Sequence, residues 1–246
     1  TLFSLFKRRK VPNLKISQLK DILGVTEKHD NIVVSSDVEL PKEYKLLHNI
    51  SKSDIVARHA IAYLKKRGIT MIDVLKYQIG YCEKGRYANK IIIPTFNSAG
   101  GLDYFVARSF EQDPIRKYDA PSSDKNIIGF ENTINWDIPV VLCEGAFDAI
   151  AIKRNAIPLF GKNISKKLMK KLVTSEIKKV YLALDKDAIK STYKIAEQLL
   201  KLGKKLFIVE LDDKDPSDMG FSLFTNKIQE SKEFNFSSLF NLKLSL

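Results

Sequence analysis

The sequence has few of the residues that most often bind zinc. It contains two cysteines, Cys82 and Cys143, and three histidines among 246 residues. A zinc ribbon needs about four clustered Cys or His ligands, and a disulfide framework needs several cysteine pairs. We therefore expect no zinc in this chain, no disulfide scaffold and no His-rich metal site.

Long apolar runs are also absent. No run approaches the roughly 20 apolar residues of a membrane-spanning helix, and no signal peptide is visible. We therefore expect a cytoplasmic protein that has no membrane partner. Because the first residue is Thr1, we also expect the chain to be a processed or trimmed piece of a longer protein.

Acidic residues are fewer than basic ones, 29 against 41, which gives a formal net charge of +12. A polyanionic partner such as nucleic acid would explain this excess. However, 33 of the basic residues are Lys and only 8 are Arg, and an AT-rich genome produces the same bias. The charge alone leaves both explanations open.

The N-terminal half carries the weaker structural signals. Residues 1–50 are predicted to form an extension or linker, with a basic cluster over 6–10 and a short amphipathic helix over 15–24. Apolar residues at helical spacing from Val56 to Leu64 predict a helix capped by Ser51 or Ser53. This half is therefore expected to begin with helices.

Two apolar runs predict a small antiparallel region between residues 80 and 125. Ile91-Ile92-Ile93-Pro94 is typical of a strand closed by proline, and Leu102 to Val106 is typical of the strand that returns beside it. The turn between them is Asn97-Ser98-Ala99-Gly100-Gly101. Several basic residues flank these strands, so we expect a basic surface there.

The last hundred residues alternate strands with helices. This alternation predicts right-handed βαβ units and a mostly parallel sheet. In such sheets ligands bind beyond the carboxyl ends of the strands. The predicted strands are 140–143, 157–160, 179–184 and 206–211, and the predicted helices between them are 146–154, 165–173 and 188–202.

Carboxylates follow three of these strands. The pairs are Glu144 with Asp148, Asp185 with Asp187, and Asp215 with Asp218. Like charges gathered at one sheet edge repel by several kcal/mol at about 4 Å, so cations are expected between them. Two or more Mg²⁺ or Mn²⁺ ions suit oxygen ligands of this kind. Each residue also has an ordinary explanation: Asp148 suits a helix N-terminus, and Asp215-Pro216 suits a turn.

These motifs resemble the TOPRIM domain, a metal-binding module shared by bacterial-type primases, topoisomerases and some nucleases. The resemblance covers about residues 138–220, through Val141-Leu142-Cys143-Glu144-Gly145-Ala146-Phe147-Asp148, Leu184-Asp185-Lys186-Asp187 and Lys214-Asp215-Pro216-Ser217-Asp218. The resemblance implies that Glu144 acts in acid/base catalysis or positions a metal-bound water. It implies metal binding by Glu144, Asp148, Asp185, Asp187, Asp215 and Asp218, with Glu144, Asp185 and Asp187 catalytic. Ser217 intervenes where related primases often have acidic-Asp-Pro-Asp.

The preceding segment is similar to the catalytic core of bacterial DNA primases. The matching blocks are Tyr63-Leu64-Lys65-Lys66-Arg67-Gly68-Ile69, Ile79-Gly80-Tyr81, Lys90-Ile91-Ile92-Ile93-Pro94, Gly100-Gly101, Phe105-Val106-Ala107-Arg108 and Arg116-Lys117-Tyr118. The resemblance implies a basic lobe that forms a groove for template and nucleotide. The residues implied to bind them are Arg108, Lys117, Tyr118, Lys90 and Arg86.

The resulting interpretation is an α/β protein in which a smaller α+β basic subdomain over 51–137 precedes a TOPRIM domain over 138–222 and a tail over 223–246. The resemblance implies a primase, of phage or plasmid type, that synthesises short RNA primers from NTPs on single-stranded DNA with a replicative helicase as partner. Two alternatives stay open: a metal-dependent TOPRIM nuclease and a non-catalytic nucleic-acid-binding module.

Overall fold

The computed structural model describes residues 38–51, 53–211 and 215–244. The predicted basic cluster over 6–10 and the predicted helix over 15–24 lie outside the described residues. Within the described ranges, no helix is long and apolar enough to cross a membrane.

The first part of the chain, which we call the antiparallel lobe, is built on a five-stranded sheet in the order β1-β2-β3-β4-β5. Each neighbouring pair of strands is antiparallel. Its elements are β1 (Tyr44–Leu46), α1 (Ile55–Lys66), α2 (Met71–Lys76), β2 (Gly80–Cys82), β3 (Lys90–Phe96), β4 (Leu102–Ser109) and β5 (Tyr118–Asp119).

The second part, which we call the parallel lobe, is built on a five-stranded sheet in the order β10-β9-β8-β6-β7. Strands β9, β8, β6 and β7 are parallel, and only β10 runs antiparallel. Its elements are β6 (Val140–Cys143), α3 (Ala146–Ile152), β7 (Ala156–Pro158), α4 (Lys166–Thr174), β8 (Lys179–Ala183), α5 (Ile189–Lys201), β9 (Lys205–Ile208), α6 (Pro216–Glu230), β10 (Glu233–Phe234) and α7 (Phe236–Leu244). The predicted α/β class is confirmed.

The two lobes share one hydrophobic core. In a strand, successive side chains point to opposite faces, and β6 shows this directly. Val141 and Cys143 join a core that also contains Ile91 and Ile93 of β3. Val140 and Leu142 face a second core, which is formed by the parallel lobe and by the segment before β6, including Ile128. The parallel sheet is therefore covered on one face by α3, α6 and the antiparallel lobe, and on the other by α4, α5 and α7.

The start of α1 differs from the sequence prediction. Asp54 caps this helix, and its carboxylate accepts a hydrogen bond from the Ala57 backbone N–H at 2.8 Å. The hydroxyl of Tyr81 also donates to Asp54, so the cap ties the helix to β2. Ser51 and Ser53, the predicted caps, instead hydrogen bond to each other. Asp54 is the cap because it is the residue directly before the first helical residue, where a side-chain oxygen can accept from the free N–H groups of the first turn.

The prediction that proline closes β3 was wrong. Pro94 lies inside that strand, opposite Phe105 of β4, and the strand continues to Phe96. Strand β2 pairs with β3 only as far as Ile92. Beyond that residue β3 has a neighbour on one side only, and an edge position tolerates the missing N–H of proline.

Candidate active site between the two lobes

A cavity of about 630 Å³ lies between the antiparallel lobe and the carboxyl ends of the parallel strands. Five carboxylates of the parallel lobe and four cationic side chains line it. The carboxylates are Glu144, Asp148, Asp185, Asp215 and Asp218, and the cations are Arg67, Arg108, Lys117 and Lys125. Asp119 of β5 also lines the cavity. The parallel lobe contributes the five carboxylates, which we call the acidic wall, and the antiparallel lobe with the segment that follows it contributes the four cations, which we call the basic wall.

The acidic wall follows from the topology of the parallel sheet. Glu144 directly follows β6, and Asp185 comes two residues after the end of β8. Because β6 and β8 are adjacent and parallel, their carboxyl ends meet at one edge. Asp215 is the residue before α6 and has no intrahelical cap bond. All three carboxylates reach the same cavity.

Asp148 connects two of the acidic segments. One of its oxygens accepts a hydrogen bond from the Gly145 N–H at 3.1 Å, and the other accepts one from the Ser217 N–H at 3.2 Å. Burial raises the pKa of Asp148 to about 6, the charge of Asp215 adds to the rise, and the two backbone donors oppose it. A side chain at Gly145 would place its Cβ 3.0 Å from the Asp148 carboxylate, so glycine permits this close approach.

The side chain of Asp187 lies outside the described residues. Its backbone belongs to the short 3₁₀ turn Lys186–Ala188, which Asp185 precedes. The placement of this carboxylate in the site therefore stays a prediction.

Arg108 dominates the basic wall. It lies in β4, is 5% exposed, and its guanidinium carbon is 4.3 Å from the centre of the Tyr118 ring. Within the described part of the chain, its buried Nε has no hydrogen-bond partner and its guanidinium forms no ion pair. An unpaired buried cation is costly. Such a group is well suited to an anionic ligand that enters the cavity and pairs with it.

The other predicted basic residues divide into two groups. Lys117 and Tyr118 line the cavity beside Arg108. Arg86 and Lys90 are not among its lining residues: Arg86 forms an ion pair with Asp119 at 3.2 Å, and Lys90 begins β3 opposite Ser109. The structure thus brings together Arg108, Lys117 and Tyr118 but not the other two.

Two cationic residues of the cavity were missed at the level of sequence. Arg67 directly follows α1, and Lys125 lies in the connection to β6, where its ammonium group donates to the Phe160 carbonyl at 2.9 Å. Arg67 belongs to a block that resembles primases and lies directly before Gly68, which ends the helix. This position was the sequence feature that could have indicated a role for Arg67 in the site. Lys125 is one of many lysines and carried no distinguishing signal.

The donor chemistry of the acidic wall fits a hard divalent cation. All five donors are carboxylates, and within the described residues no three His, Cys, Asp or Glu side chains are close enough to hold a metal ion. Mg²⁺ typically takes one or two protein carboxylates and completes its shell with water and substrate phosphates. Glu144 and Asp185, which follow strands, and Asp215, which precedes α6, line the cavity. Because no three such side chains of the described residues lie close enough to hold an ion by themselves, these carboxylates would share it with water and phosphate oxygens.

Comparison with known proteins places the chain in a family. Residues 141–219 match a family model described as Toprim-like. A protein of Mycoplasma genitalium, "Uncharacterized protein MG010", is 31% identical over 182 residues, which cover 68% of this chain and 80% of that protein. The chain belongs to the MG010 protein family.

Two further comparisons involve DNA primases. The DNA primase of Thermotoga maritima is 24% identical over 230 residues, which cover 79% of this chain and 40% of that protein. A solved structure of the DnaG primase catalytic domain bound to ssDNA superposes with a TM-score of 0.65 at 18% identity, covering 78% of this chain and 77% of that one. This MG010-family chain therefore contains a Toprim-like domain and is similar in fold to the primase catalytic core.

Proposed function

We propose that this protein is a metal-dependent nucleotidyltransferase of the primase type, which synthesises short RNA primers on single-stranded DNA. The observation that carries the proposal is the position of Arg108: a buried guanidinium without an ionic partner in the described residues lines the same cavity as the carboxylate wall. The phosphates of a nucleoside triphosphate would supply the negative charge that pairs with this guanidinium. Similarity to a DNA primase and to a primase domain bound to ssDNA supports the same reading.

The proposal assigns metal binding and acid/base chemistry to the acidic wall and phosphate binding to the basic wall. Glu144, Asp185, Asp187 and Asp215 would hold Mg²⁺ or Mn²⁺, and Glu144 would also act in acid/base chemistry. When bound, such ions lower the pKa of an attacking hydroxyl and offset charge on a leaving pyrophosphate. On the basic wall Arg108 and Lys117 would pair with phosphate oxygens, since cations of this kind form strong charge-assisted hydrogen bonds with phosphate.

Tyr118 has a double role in this scheme. Its ring lies against the Arg108 guanidinium and is itself 52% exposed. A tyrosine in this position restricts the orientation of the arginine and leaves one face for stacking on a base or ribose. We therefore assign the template and nucleotide contact to Arg108, Lys117 and Tyr118 together.

The wider organisation is part of the same proposal. The basic subdomain is taken as 51–137, the TOPRIM domain as 138–222 and the segment 1–50 as an extension. The predicted tail, 223–246, contains the end of α6, β10 and α7, which pack on the parallel sheet. NTPs and a single-stranded template are the proposed ligands, and a replicative helicase is the proposed partner.

A template-directed primer assay tests the function. The protein is incubated with single-stranded DNA, labelled NTPs and Mg²⁺ or Mn²⁺, and the products are separated by length. We expect short RNA products from the wild-type protein and none from Asp185→Asn, with an unchanged circular dichroism spectrum. Asp137→Asn is the matched control because Asp137 is exposed and outside the cavity, and it should retain full synthesis.

The same assay separates the two alternatives. Cleavage of the template without incorporation of NTPs, lost in Asp185→Asn, would identify a metal-dependent nuclease. Binding of the template with neither cleavage nor synthesis would identify a non-catalytic nucleic-acid-binding module. Full synthesis by Asp185→Asn would overturn the assignment of the carboxylate wall.

A further inference from the structure

Arg67 joins the two lobes next to the carboxylate wall. Its Nε donates a hydrogen bond to the Tyr63 hydroxyl at 2.8 Å, one turn earlier in α1. Its terminal nitrogen donates to the Ser217 hydroxyl at 3.3 Å and lies 3.7 Å from an oxygen of Asp218. The guanidinium therefore reaches from the end of α1 to the first turn of α6.

Aromatic rings hold this guanidinium in one orientation. It lies 5.3 Å from the centre of the Tyr63 ring and 5.4 Å from the centre of the Phe147 ring. These two rings meet edge to face at 6.3 Å, and the Arg67 side chain is 22% exposed. Cation–π contacts strengthen when they are removed from water. Arg67 is thus packed against two aromatic rings and largely removed from solvent.

The first turn of α6 needs an anchor outside its own helix. Gly220 has φ 74° and ψ 172°, so the regular helix is interrupted directly after this turn. Asp215, Ser217 and Asp218 all precede the interruption. The later part of α6 therefore cannot hold them through a continuous ladder of i to i−4 hydrogen bonds.

Ser217 supplies that anchor in two directions. Its backbone N–H donates a hydrogen bond to Asp148, and its hydroxyl accepts the bond from Arg67. Asp148 in turn accepts a hydrogen bond from the Gly145 N–H. A continuous chain of hydrogen bonds therefore runs from Arg67 through Ser217 and Asp148 to the segment that carries Glu144.

We propose that Arg67 is a positioning residue: through Ser217 it fixes the turn that carries Asp215 relative to the segment that carries Glu144. In the same proposal Asp218 is a partner of Arg67 and not a metal ligand. The serine that interrupts the usual acidic motif of primases has a use here, because its hydroxyl receives the arginine. The inference rests on the proposed function only in taking Glu144, Asp185 and Asp215 as metal-binding side chains.

Binding of Mn²⁺ to the full chain, measured by electron paramagnetic resonance without nucleotide or DNA, tests this role. Groups that orient metal ligands typically contribute 10- to 100-fold to metal affinity. We expect Arg67→Met and Ser217→Ala each to weaken Mn²⁺ binding about 10-fold. The double variant should be weakened by less than the product of the two effects, because both substitutions remove the hydrogen bond between Arg67 and Ser217. Ser217→Thr keeps the hydroxyl and should bind like wild type.

Two further variants separate positioning from direct metal binding. Asp215→Asn should lose the site, whereas Asp218→Asn should keep it. Arg58→Met is the control for loss of a cation, since Arg58 is exposed on the same helix as Tyr63, and it should change nothing. Loss of Mn²⁺ binding in Asp218→Asn, or wild-type binding in Arg67→Met, would overturn the proposal.

Amide hydrogen exchange of the metal-free protein gives an independent measurement. Arg67→Met should speed exchange over residues 215–219 and leave the strands of both sheets as slow as in wild type. Unchanged exchange over 215–219 would also overturn the positioning role. Neither measurement depends on RNA synthesis. If the variants bind Mn²⁺ as expected but the wild-type protein synthesises no primers, the proposed function is refuted and the positioning role of Arg67 is not.

Discussion

The two lobes bring charge to the same cavity by different structural routes. In the parallel lobe, adjacent strands run in the same direction, so the residues that follow β6 and β8 meet at one edge. In the antiparallel lobe, Arg108 comes from within β4, Lys117 from the residue before β5, and Arg67 from the end of a helix. A parallel sheet collects its functional groups by connectivity, whereas an antiparallel sheet delivers them through side-chain direction and helix packing.

The difference extends to how each group is stabilised. Asp148 of the acidic wall accepts backbone N–H groups from two segments. Arg108 of the basic wall is held by the ring of Tyr118 and has no ionic partner in the described residues. Backbone hydrogen bonds therefore orient Asp148 in the acidic wall. Aromatic packing orients Arg108 in the basic wall and leaves its guanidinium able to bind an anion.

The largest expected effect concerns the cooperativity of the two lobes. Phe105 is 2% exposed and packs at 5.3 Å from Tyr87 in a small core of the antiparallel lobe. Phe105→Ala should lower the free energy of unfolding by about 3–5 kcal/mol. Because Ile91 and Ile93 place the other face of β3 in the shared core, Trp136, which packs against the core of the parallel lobe, should report the same lower urea midpoint as circular dichroism.

The control for this variant is Phe236→Ala, since Phe236 is 56% exposed. It should change the free energy of unfolding by no more than about 0.5 kcal/mol. A Trp136 fluorescence midpoint that stays at the wild-type value in Phe105→Ala would show that the lobes unfold independently.

The next effect concerns the unpaired cation. Arg108→Met should reduce primer synthesis about 100-fold, equivalent to about 2.7 kcal/mol, because the site loses its buried contact to phosphate. The melting temperature of the ligand-free protein should stay the same or rise, since methionine keeps the apolar stem and removes a buried charge. Differential scanning calorimetry measures the melting temperature, and the primer assay measures synthesis. Arg58→Met is the control in both measurements.

A smaller effect is expected at the ion pairs that Lys167 forms outside the cavity lining. Lys167 of α4 lies 3.0 Å from Asp103 of β4 and 3.6 Å from Glu131. Both carboxylates are under 9% exposed. Lys167→Met should therefore lower the free energy of unfolding by about 1–3 kcal/mol, because buried charges lose their partner.

The double variant Lys167→Met with Asp103→Asn tests the cause of this loss. It should recover part of the stability in urea denaturation, because one of the unpaired carboxylates is gone. Lys166→Met, at the exposed neighbouring position, should be neutral. A double variant less stable than the single one would contradict the interpretation as a link between lobes.

The smallest effect is on the salt dependence of DNA binding. Lys117 is exposed and lines the cavity. Lys117→Ala should reduce the slope of log affinity against log salt by about 0.7 on single-stranded DNA, the value for one lost phosphate contact. Fluorescence anisotropy over a salt series measures it. Lys179→Ala, at the opposite end of β8, should keep the wild-type slope, and an unchanged slope in Lys117→Ala would remove this residue from the interface.

The sequence by itself determined the α/β class and the order of strands and helices from β6 to β9. It did not predict α6, β10 and α7, the last elements of the parallel lobe. Apolar runs separated by amphipathic helices leave few ways to bury both faces of a sheet, and parallel order then follows. The convergence of Glu144, Asp185 and Asp215 was predictable for the same reason. Local pattern and connectivity contain that information.

Only the tertiary structure decided the basic wall. Arg67, Lys125, Arg108, Arg86 and Lys90 have the same charge in the sequence, and their difference lies in contacts with residues far along the chain. Arg86 pairs with Asp119, 33 positions away, and Arg67 bonds to Ser217, 150 positions away. Side-chain direction in a folded sheet depends on which faces are buried. No local pattern of charges specifies that.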